Sequence, residues 1–181
     1  MGRMEQSLAV ELGLARIAEA PMLARVSRDY IERGLPWRWK PSRLRSLIKD
    51  PDTVVLCARS KPLRIEDLGA PETRRLGNLL GFGVMTYERD SAHLMLLATL
   101  PRARRRGIAS HLLRWLEKTA STAGIERIKL EVRARNSGAR TFYREHEYHE
   151  RDYIPRYYGG EEAAFRMTRT LFDRNIAADQ E

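Results

Sequence analysis

LMLLATLPRARRRGIASHLLRWL, residues 94–116, decides the fold of this chain. Its apolar first part predicts a buried strand, and from Gly107 onward the apolar spacing predicts an amphipathic helix. An arginine-rich loop joins the two elements. A strand that enters a helix through such a loop leaves several backbone N–H groups unpaired at the positive end of the helix dipole. The stretch therefore predicts a seat for an anion at the start of the helix.

The loop has the residue types that the close approach of a diphosphate requires. Gly107 has no side chain and Ala109 has almost none, so a diphosphate can reach the backbone amides. Arg104, Arg105 and Arg106 add positive charge and forked hydrogen-bond donors. Taken alone, this arginine run also fits a solvated face, a nuclear-localisation-like run or a nucleic-acid contact. The strand before it and the helix after it favour the phosphate seat, because a localisation signal needs neither.

Length, net charge and cysteine content limit the class of protein and the kind of partner. The chain has 181 residues, which predicts one domain spanning residues 1–181, and it has a net charge of +9 at pH 7. That charge favours an anionic partner but does not choose between a nucleotide-bearing cofactor, an acidic substrate and RNA. Cys57 is the only cysteine and lies in an apolar run, so we expect a buried thiol and no internal disulfide. The start of the sequence has no apolar stretch of the length of a signal peptide or membrane span, and we expect a cytoplasmic protein with no membrane partner.

Periodicity along the chain predicts alternating helices and strands. Helical spacing and capping signals predict helices over residues 22–31, 41–48, 107–123 and 137–146. Extended patterns predict strands over residues 53–58, 79–87, 92–99, 128–134, 148–154 and 163–171. Residues 9–15 fit a strand or a helix almost equally, and residues 61–78 are typical of an exposed loop or insertion. We therefore expect an α/β sandwich around a mixed sheet.

Two of these elements have one apolar face. In the strand over residues 128–134, apolar residues alternate with charged ones, which places Glu131 on the polar face. In the third helix, the residues predicted to be buried are Ile108, Leu112, Trp115, Leu116 and Thr119. Gly124 is expected to end that helix, and Asn136 or Ser137 is expected to cap the next one.

The anion loop carries a family resemblance. The pattern Arg104-x-x-Gly107-x-Ala109 is similar to the pyrophosphate-binding loop of GNAT-family N-acetyltransferases, which cradles coenzyme A. The sequence LEVRARN at residues 130–136, followed by ARTFY at 139–143, resembles a strand and helix of RimI-like GNATs, which acetylate protein N-termini. The resemblance implies the GNAT fold, with a mixed, mostly antiparallel central sheet flanked by helices, and it implies acetyl-CoA as the cofactor.

The same resemblance implies the cofactor contacts. They come from the end of a strand, from the arginine loop with the first helical turn, and from the cap of the following helix. The implied set is Leu97, Ala98, Thr99, Arg104, Arg105, Arg106, Gly107, Ile108, Ala109, Ser110 and Asn136. Backbone N–H groups at residues 97–99 would hold the acetyl carbonyl and the pantetheine arm.

Acetyl transfer to an amine also needs a neutral amine and a proton for the departing thiolate. A free α-amino group has a pKa near ~8, against ~10.4 for lysine, so a modest carboxylate base suffices for an N-terminal substrate. The resemblance implies Glu131 as that base, acting through water, and Tyr143 as the acid that donates to the sulfur. Taken alone, Glu131 is rather a solvated charge balanced by Arg133, and Tyr143 a core aromatic beside Phe142.

Two further segments are similar to the substrate-binding parts of RimI-like GNATs. Leu35-Pro36-Trp37 is similar to the Phe-Pro-Trp of their substrate loop, and YYGGEEA at residues 157–163, which begins with Tyr157 and Tyr158, is similar to their tail. These aromatic residues are candidate walls of a peptide groove, and they are equally compatible with loop aromatics that anchor the fold.

Other patterns limit the resemblance or exclude alternatives. Glu147 stands where the family usually has a glycine after its helix, so we expect the helix exit and the next strand to be displaced. The histidines have no metal-ligand spacing with the lone cysteine, so we expect no metal site. No Ser-His-Asp or Walker pattern is present.

The sequence therefore predicts an acetyl-CoA-dependent N-acetyltransferase in which an amine attacks the thioester directly. The predicted acceptor is the N-terminal α-amine of a protein. A second possibility is the same fold acting on a small amine such as a polyamine or an amino sugar. A third, of another class, is a non-catalytic basic module that binds RNA or a protein.

Overall fold

A seven-stranded sheet forms the centre of the computed structural model, which describes residues 10–60 and 78–172. The strands are β1 (Val10–Leu14), β2 (Thr53–Ser60), β3 (Leu79–Tyr87), β4 (Ser91–Thr99), β5 (Arg127–Arg133), β6 (His149–Tyr158) and β7 (Glu162–Thr170). The helices are α1 (Ala20–Tyr30), α2 (Pro41–Lys49), α3 (Ile108–Thr122) and α4 (Ser137–Glu145). The strand order is β1-β2-β3-β4-β5-β7-β6, and all neighbouring strands are antiparallel except the parallel pair β4 and β5.

Apolar layers cover both faces of the sheet. On one face, α3 packs Leu112 and Leu116 into the larger core cluster. On the other face, α1 and α2 place Leu23 and Leu44 in a second cluster with Phe82 of β3. Because β3 is covered on both sides, its sequence is an almost continuous apolar run rather than an alternating one.

The parallel pair opens towards the carboxyl ends of its strands. The β4–β5 ladder joins Ser91–His93 to Arg127–Lys129 and ends there. Beyond it, β4 stays paired with β3 as far as Thr99, and β5 stays paired with β7 as far as Arg133. A bulge in the β3–β4 ladder bends β4 just past this point. The two strands therefore diverge and leave an opening beside the loop that leads into α3.

Most of the element predictions are confirmed. β3 has the predicted bounds, and residues 9–15, left open between a strand and a helix, contain β1. β6 extends to Tyr158 because a bulge, with Arg156 at φ 54°, carries the strand past Pro155. Cys57 is buried and has no disulfide partner, as expected. Apart from Asn78, the predicted loop over residues 61–78 lies outside the described residues.

The predicted buried face of α3 is partly wrong. Trp115 is 36% exposed and Thr119 is only half-buried, whereas Leu113, Glu117 and Ala120 are buried. The buried stripe lies to the other side of Leu116 because a charged position, Glu117, faces inward. A long-range ion pair, 2.8 Å from Arg169 Nη1 on β7 to Glu117 Oε2, compensates this carboxylate.

The exit from α4 keeps a left-handed turn although glycine is absent. Glu147 has φ 64°, a conformation that costs a non-glycine residue roughly 1–2 kcal/mol. Its carboxylate accepts a hydrogen bond from Arg169, which helps to hold this turn. Tyr148 is then fully buried and β6 pairs with β7 from His149 onward. The predicted displacement is therefore not needed to accommodate the glutamate.

Candidate functional site

The loop between β4 and α3 presents backbone donors to an open space. Gly107 is the N-cap of α3 with φ 73°, and no atom lies within 4 Å of a Cβ built on it. The first backbone hydrogen bond of the helix runs from His111 N to Gly107 O, at 2.9 Å. The amides of Ile108, Ala109 and Ser110 come before it and have no acceptor within the helix. Three unpaired N–H groups therefore lie at the positive end of the helix, which is the arrangement that the predicted anion seat requires.

The four arginines of this loop divide into two kinds. Arg102 is anchored, because its Nη2 donates to Leu79 O at 2.7 Å and so ties the loop to β3. Arg104, Arg105 and Arg106 are exposed. Those three guanidinium groups are the ones placed to meet an anion from solvent.

The other predicted cofactor residues border the same opening. Residues 97–99 form the end of β4, where it pairs with β3 but no longer with β5. The hydroxyl of Thr99 is buried without a hydrogen-bond partner in the described part of the chain. Asn136 caps α4, and its Oδ1 accepts from Ala139 N at 3.1 Å. That bond occupies the oxygen and leaves the amide nitrogen of Asn136 available, so the capping role and a ligand contact are compatible.

Glu131 lies on the polar face of β5 in a network of charge-assisted hydrogen bonds. Its side chain is only 7% exposed. His93 Nε2 lies 2.7 Å from Oε2, and Arg166 Nε donates to Oε1 at 3.0 Å. Burial alone would raise the pKa of Glu131, but the hydrogen bonds with His93 and Arg166 outweigh it and lower the pKa to about 2. Glu131 is therefore not the solvated strand charge that its position alone suggests.

Tyr143 is buried in an aromatic cluster on α4. Its ring makes edge contacts with Phe142 and Tyr148, with ring centroids 5.2 and 5.6 Å apart. Burial raises the pKa of Tyr143, and the neighbouring Tyr158 adds to the rise. Tyr158 in turn donates from its hydroxyl to the backbone oxygen of Glu131 at 3.0 Å. Tyr158 thus connects the surroundings of Tyr143 and Glu131.

The two predicted groove walls meet. The turn between β6 and β7 lies against the loop after α1, since a Cβ on Gly159 would be 3.4 Å from Pro36 Cδ and 3.9 Å from Leu35 Cδ2. Trp37 is half-buried, and Arg28 lies over its ring at 5.3 Å. The structure therefore brings the Leu35–Pro36 loop and the tail that contains Tyr157 and Tyr158 together near Glu131.

Two charged residues fix the loop after α1. The buried carboxylate of Glu32 accepts from Arg38 N at 2.6 Å and from Trp39 N at 3.3 Å. Arg133 of β5 donates to Ile31 O at 2.7 Å and to Arg33 O at 3.2 Å. Arg133 also forms an ion pair with Glu162 of β7 and lies over the ring of Tyr158. The loop is consequently held in place by the same strands that carry Glu131.

Sequence reasoning missed four residues of this site. His93, Arg166, Glu32 and Arg133 all contact it through bonds that no local pattern predicts. A signal existed only for His93, which stands opposite Lys129 in the β4–β5 ladder and so beside Glu131 on the same sheet face. That signal requires the register of β4 and β5, which the sequence alone does not reveal.

The described residues contain neither a cluster of metal ligands nor a helix that could span a membrane. No group of three or more His, Cys, Asp or Glu side chains could hold a metal ion in the part of the chain that the structure describes. In the same ranges, none of the helices combines the length and the apolar character that crossing a membrane requires.

The chain is similar to known acetyltransferases in a family pattern of its sequence and to solved structures in its fold. The model of the acetyltransferase (GNAT) family matches residues 28–148. No curated protein matches the chain in a direct comparison. Among solved structures, Ard1 from Thermoplasma volcanium is 19% identical, with a TM-score of 0.75 over 92% of this chain and 100% of that one.

Two further structures are similar. The ribosomal-protein-S18-alanine N-acetyltransferase from Escherichia coli is 19% identical, with a TM-score of 0.71 over 92% of this chain and 98% of its own. NAA60 from Arabidopsis thaliana in complex with acetyl-CoA is 16% identical, with a TM-score of 0.71 over 90% of this chain and 98% of its own. At these identities the likeness shows the fold.

Proposed function

This chain belongs to the acetyltransferase (GNAT) family, and on that premise we propose that it transfers an acetyl group from acetyl-CoA to the N-terminal α-amino group of a protein. The family match covers the arginine loop, β5 and α4, and the predicted GNAT fold is confirmed. One observation carries the proposal: β4 and β5 diverge, and the open amides of α3 lie at the mouth of the opening. We also propose a cytoplasmic location, where the lone buried thiol of Cys57 stays reduced.

The residues around the opening fit coenzyme A. The amides at Ile108, Ala109 and Ser110, with the exposed arginines, suit its diphosphate. The edge of β4 beyond His93 has no ladder partner on the β5 side, so its backbone groups suit an extended amide chain such as pantetheine. The unpartnered hydroxyl of Thr99 supplies one more polar group at this edge.

The chemistry requires one bond to form and one to break. The amine nitrogen attacks the thioester carbon, the carbon–sulfur bond breaks, and the nitrogen loses one proton while the sulfur gains one. In our proposal the proton leaves towards Glu131 and its hydrogen-bonded partner, and Tyr143 supplies the proton to the sulfur. Because the pKa of Tyr143 is raised, its phenol is protonated at neutral pH and can act as this donor.

A protein N-terminus fits the surroundings of Glu131 better than a small polycation does. A polyamine site needs carboxylates that are not already neutralised. Glu131 is paired with Arg166, and Glu162 is paired with Arg133 and Arg135. The two aromatic walls suit a peptide chain, and the Escherichia coli relative is by its name a ribosomal-protein N-acetyltransferase.

A peptide panel tests the substrate class. We expect the purified protein to release free thiol from acetyl-CoA with peptides that have a free α-amine and an internal lysine. Mass spectrometry should place the acetyl group on the α-amine. The control is the same panel with blocked N-termini, which should give no thiol release. Turnover only on blocked peptides, or only on polyamines and amino sugars, would contradict the N-terminal proposal.

Arg133→Ala should weaken peptide use without affecting the cofactor. The substitution removes the hydrogen bonds that hold Ile31 and Arg33 of the loop after α1. We expect the KM for peptide to rise about tenfold, which corresponds to roughly 1.4 kcal/mol, with unchanged acetyl-CoA affinity. Arg135→Ala is the matched control, because Arg135 pairs with Glu162 alone and its side chain is 71% exposed. Equal KM values in the two variants would contradict a role for Arg133 in holding the loop.

A further inference from the structure

His93 on β4 is the nearest titratable partner of Glu131. The β4–β5 ladder ends at the pair His93 and Lys129, so the imidazole stands at the point where the two strands diverge. Its Nε2 lies 2.7 Å from Glu131 Oε2, and its side chain is 25% exposed. The ring therefore has a fixed partner at Nε2 and is partly exposed to solvent.

Glu131 is poorly suited to accept a proton itself. Each of its two oxygens already accepts a charge-assisted bond, one with His93 and the other from Arg166. With a pKa of about 2, the carboxylate stays ionised at neutral pH and is a weak base. The ionised Glu131 therefore stabilises a positive charge next to it more readily than it takes up a proton.

The ionised carboxylate decides the tautomer of the imidazole. A carboxylate can only accept, so the neutral ring must carry its proton on Nε2 and donate it to Glu131. The lone pair is then on Nδ1. Among the described residues none bonds to Nδ1, and that atom is not one of the buried polar atoms that lack a partner. Nδ1 therefore carries a free lone pair and is accessible to solvent.

We infer that His93 is a catalytic residue of the proposed acetyl transfer, with Nδ1 taking the proton of the attacking amine, directly or through one water, and with Glu131 as the positioning residue that orients the ring. This inference rests on the proposed function. The nitrogen–carbon bond forms, the carbon–sulfur bond breaks and the amine proton goes to Nδ1. The sulfur takes the proton of Tyr143, and exchange with solvent restores both residues. Glu131 stabilises the imidazolium through Nε2, as a carboxylate does for a catalytic histidine in other enzymes.

The charged groups around the ring come from two strands and one turn. Glu131 lies on β5, Arg166 on β7, and Lys129 stands opposite His93 in the ladder. Glu88, in the turn before β4, is close enough for His93 to contribute to the lowering of its pKa. The carboxylate of Glu131 is electrostatically complementary to the positive charge that the ring carries in the proposed transition state.

The His93→Gln variant tests whether His93 acts as a proton acceptor or only as a structural partner of Glu131. The glutamine amide can still donate to Glu131, but it has no basic nitrogen. We expect kcat on the best peptide to fall about 100-fold with unchanged acetyl-CoA affinity. His149→Gln, on the exposed histidine of β6, is the control and should keep the wild-type kcat. A His93→Gln variant with near wild-type kcat would overturn the inference.

Chemical rescue is a second test, because added imidazole would not restore kcat if His93 had only a structural role. Added imidazoles should restore kcat of His93→Ala, and the restored rate should rise with the pKa of the added imidazole, as expected for proton transfer in the rate-limiting step. A rate independent of that pKa would overturn the inference.

Nitrogen NMR tests the tautomer of His93. It should show the neutral wild-type ring protonated at Nε2, and in Glu131→Gln this preference should be lost. Protonation at Nδ1 in the wild type would also overturn the inference. Absence of wild-type turnover on every amine contradicts the proposed function itself, whereas failure of the His93 variants to lose activity contradicts this inference alone.

Discussion

Gly107→Val is expected to weaken acetyl-CoA binding by about 100-fold, which corresponds to roughly 2.7 kcal/mol. In the protein alone, no atom lies within 4 Å of a Cβ at this position, so the valine side chain has room. Gly107 is the N-cap of α3, directly before the unpaired amides that a diphosphate has to approach. The substitution therefore acts chiefly by excluding the ligand, and titration calorimetry with acetyl-CoA measures the loss.

A matched control variant separates the effect of backbone strain on stability from the effect of the added side chain on acetyl-CoA binding. Gly107 has φ 73°, and a β-branched residue in this conformation costs roughly 1–2 kcal/mol of folding stability. Gly34 has φ 78° and equally has no atom within 4 Å of an added Cβ, but it lies in the loop after α1. Gly34→Val should show a similar loss of stability in urea and a wild-type affinity for acetyl-CoA. Equal affinities in the two variants would contradict the assignment of the diphosphate to the Gly107 loop.

The sequence predicts the parts of this site that depend on local pattern. The strand, loop and helix over residues 94–116 form as expected, because each signal acts within a few residues: an apolar run, a positive-φ glycine and helical spacing. The alternation in β5 likewise places Glu131 on the polar face. These features also carry the family resemblance, which explains why fold and enzyme class could be predicted together.

The charged partners of Glu131 could not be predicted from the sequence, because they depend on the register of strands that are distant in sequence. His93 and Arg166 lie 38 and 35 residues from Glu131, and only the completed sheet brings the three side chains together. The wrong prediction for α3 has the same origin, since the buried Glu117 forms its ion pair with Arg169 of β7, a strand that is distant in sequence. Local periodicity contains no information about such pairs.

The missed partners change the chemistry that the site can perform. From sequence, Glu131 is one carboxylate acting on one amine proton. In the structure, His93 and Arg166 hold it ionised, so the network is organised to stabilise positive charge next to it. In the proposed mechanism, different groups remove the proton from the amine and deliver a proton to the sulfur, so the second step can be tested separately.

Tyr143→Phe should lower kcat by about 100-fold or more while leaving the affinity for acetyl-CoA unchanged. The substitution removes one hydroxyl and keeps the buried ring in its contacts with Phe142 and Tyr148. Because burial raises the pKa of Tyr143, the phenol is protonated throughout the neutral range and no ionisation of it occurs there. The loss should therefore be the same factor between about pH 6 and pH 9, as expected when a general acid of constant protonation is removed.

Tyr148→Phe distinguishes proton donation from packing. Tyr148 belongs to the same aromatic cluster, is fully buried and loses the same atom in the substitution. It lies between α4 and β6, and burial raises its pKa as well. Its hydroxyl lies near Glu117 and has no proposed contact with the departing sulfur, so Tyr148 is a control for the loss of a buried phenol hydroxyl from the same cluster. We expect Tyr148→Phe to keep a kcat within about twofold of the wild type, because a conservative change in packing alone has little effect on the chemical step. Equal losses of kcat in the two variants would assign the effect of Tyr143→Phe to packing and remove Tyr143 from the proposed mechanism.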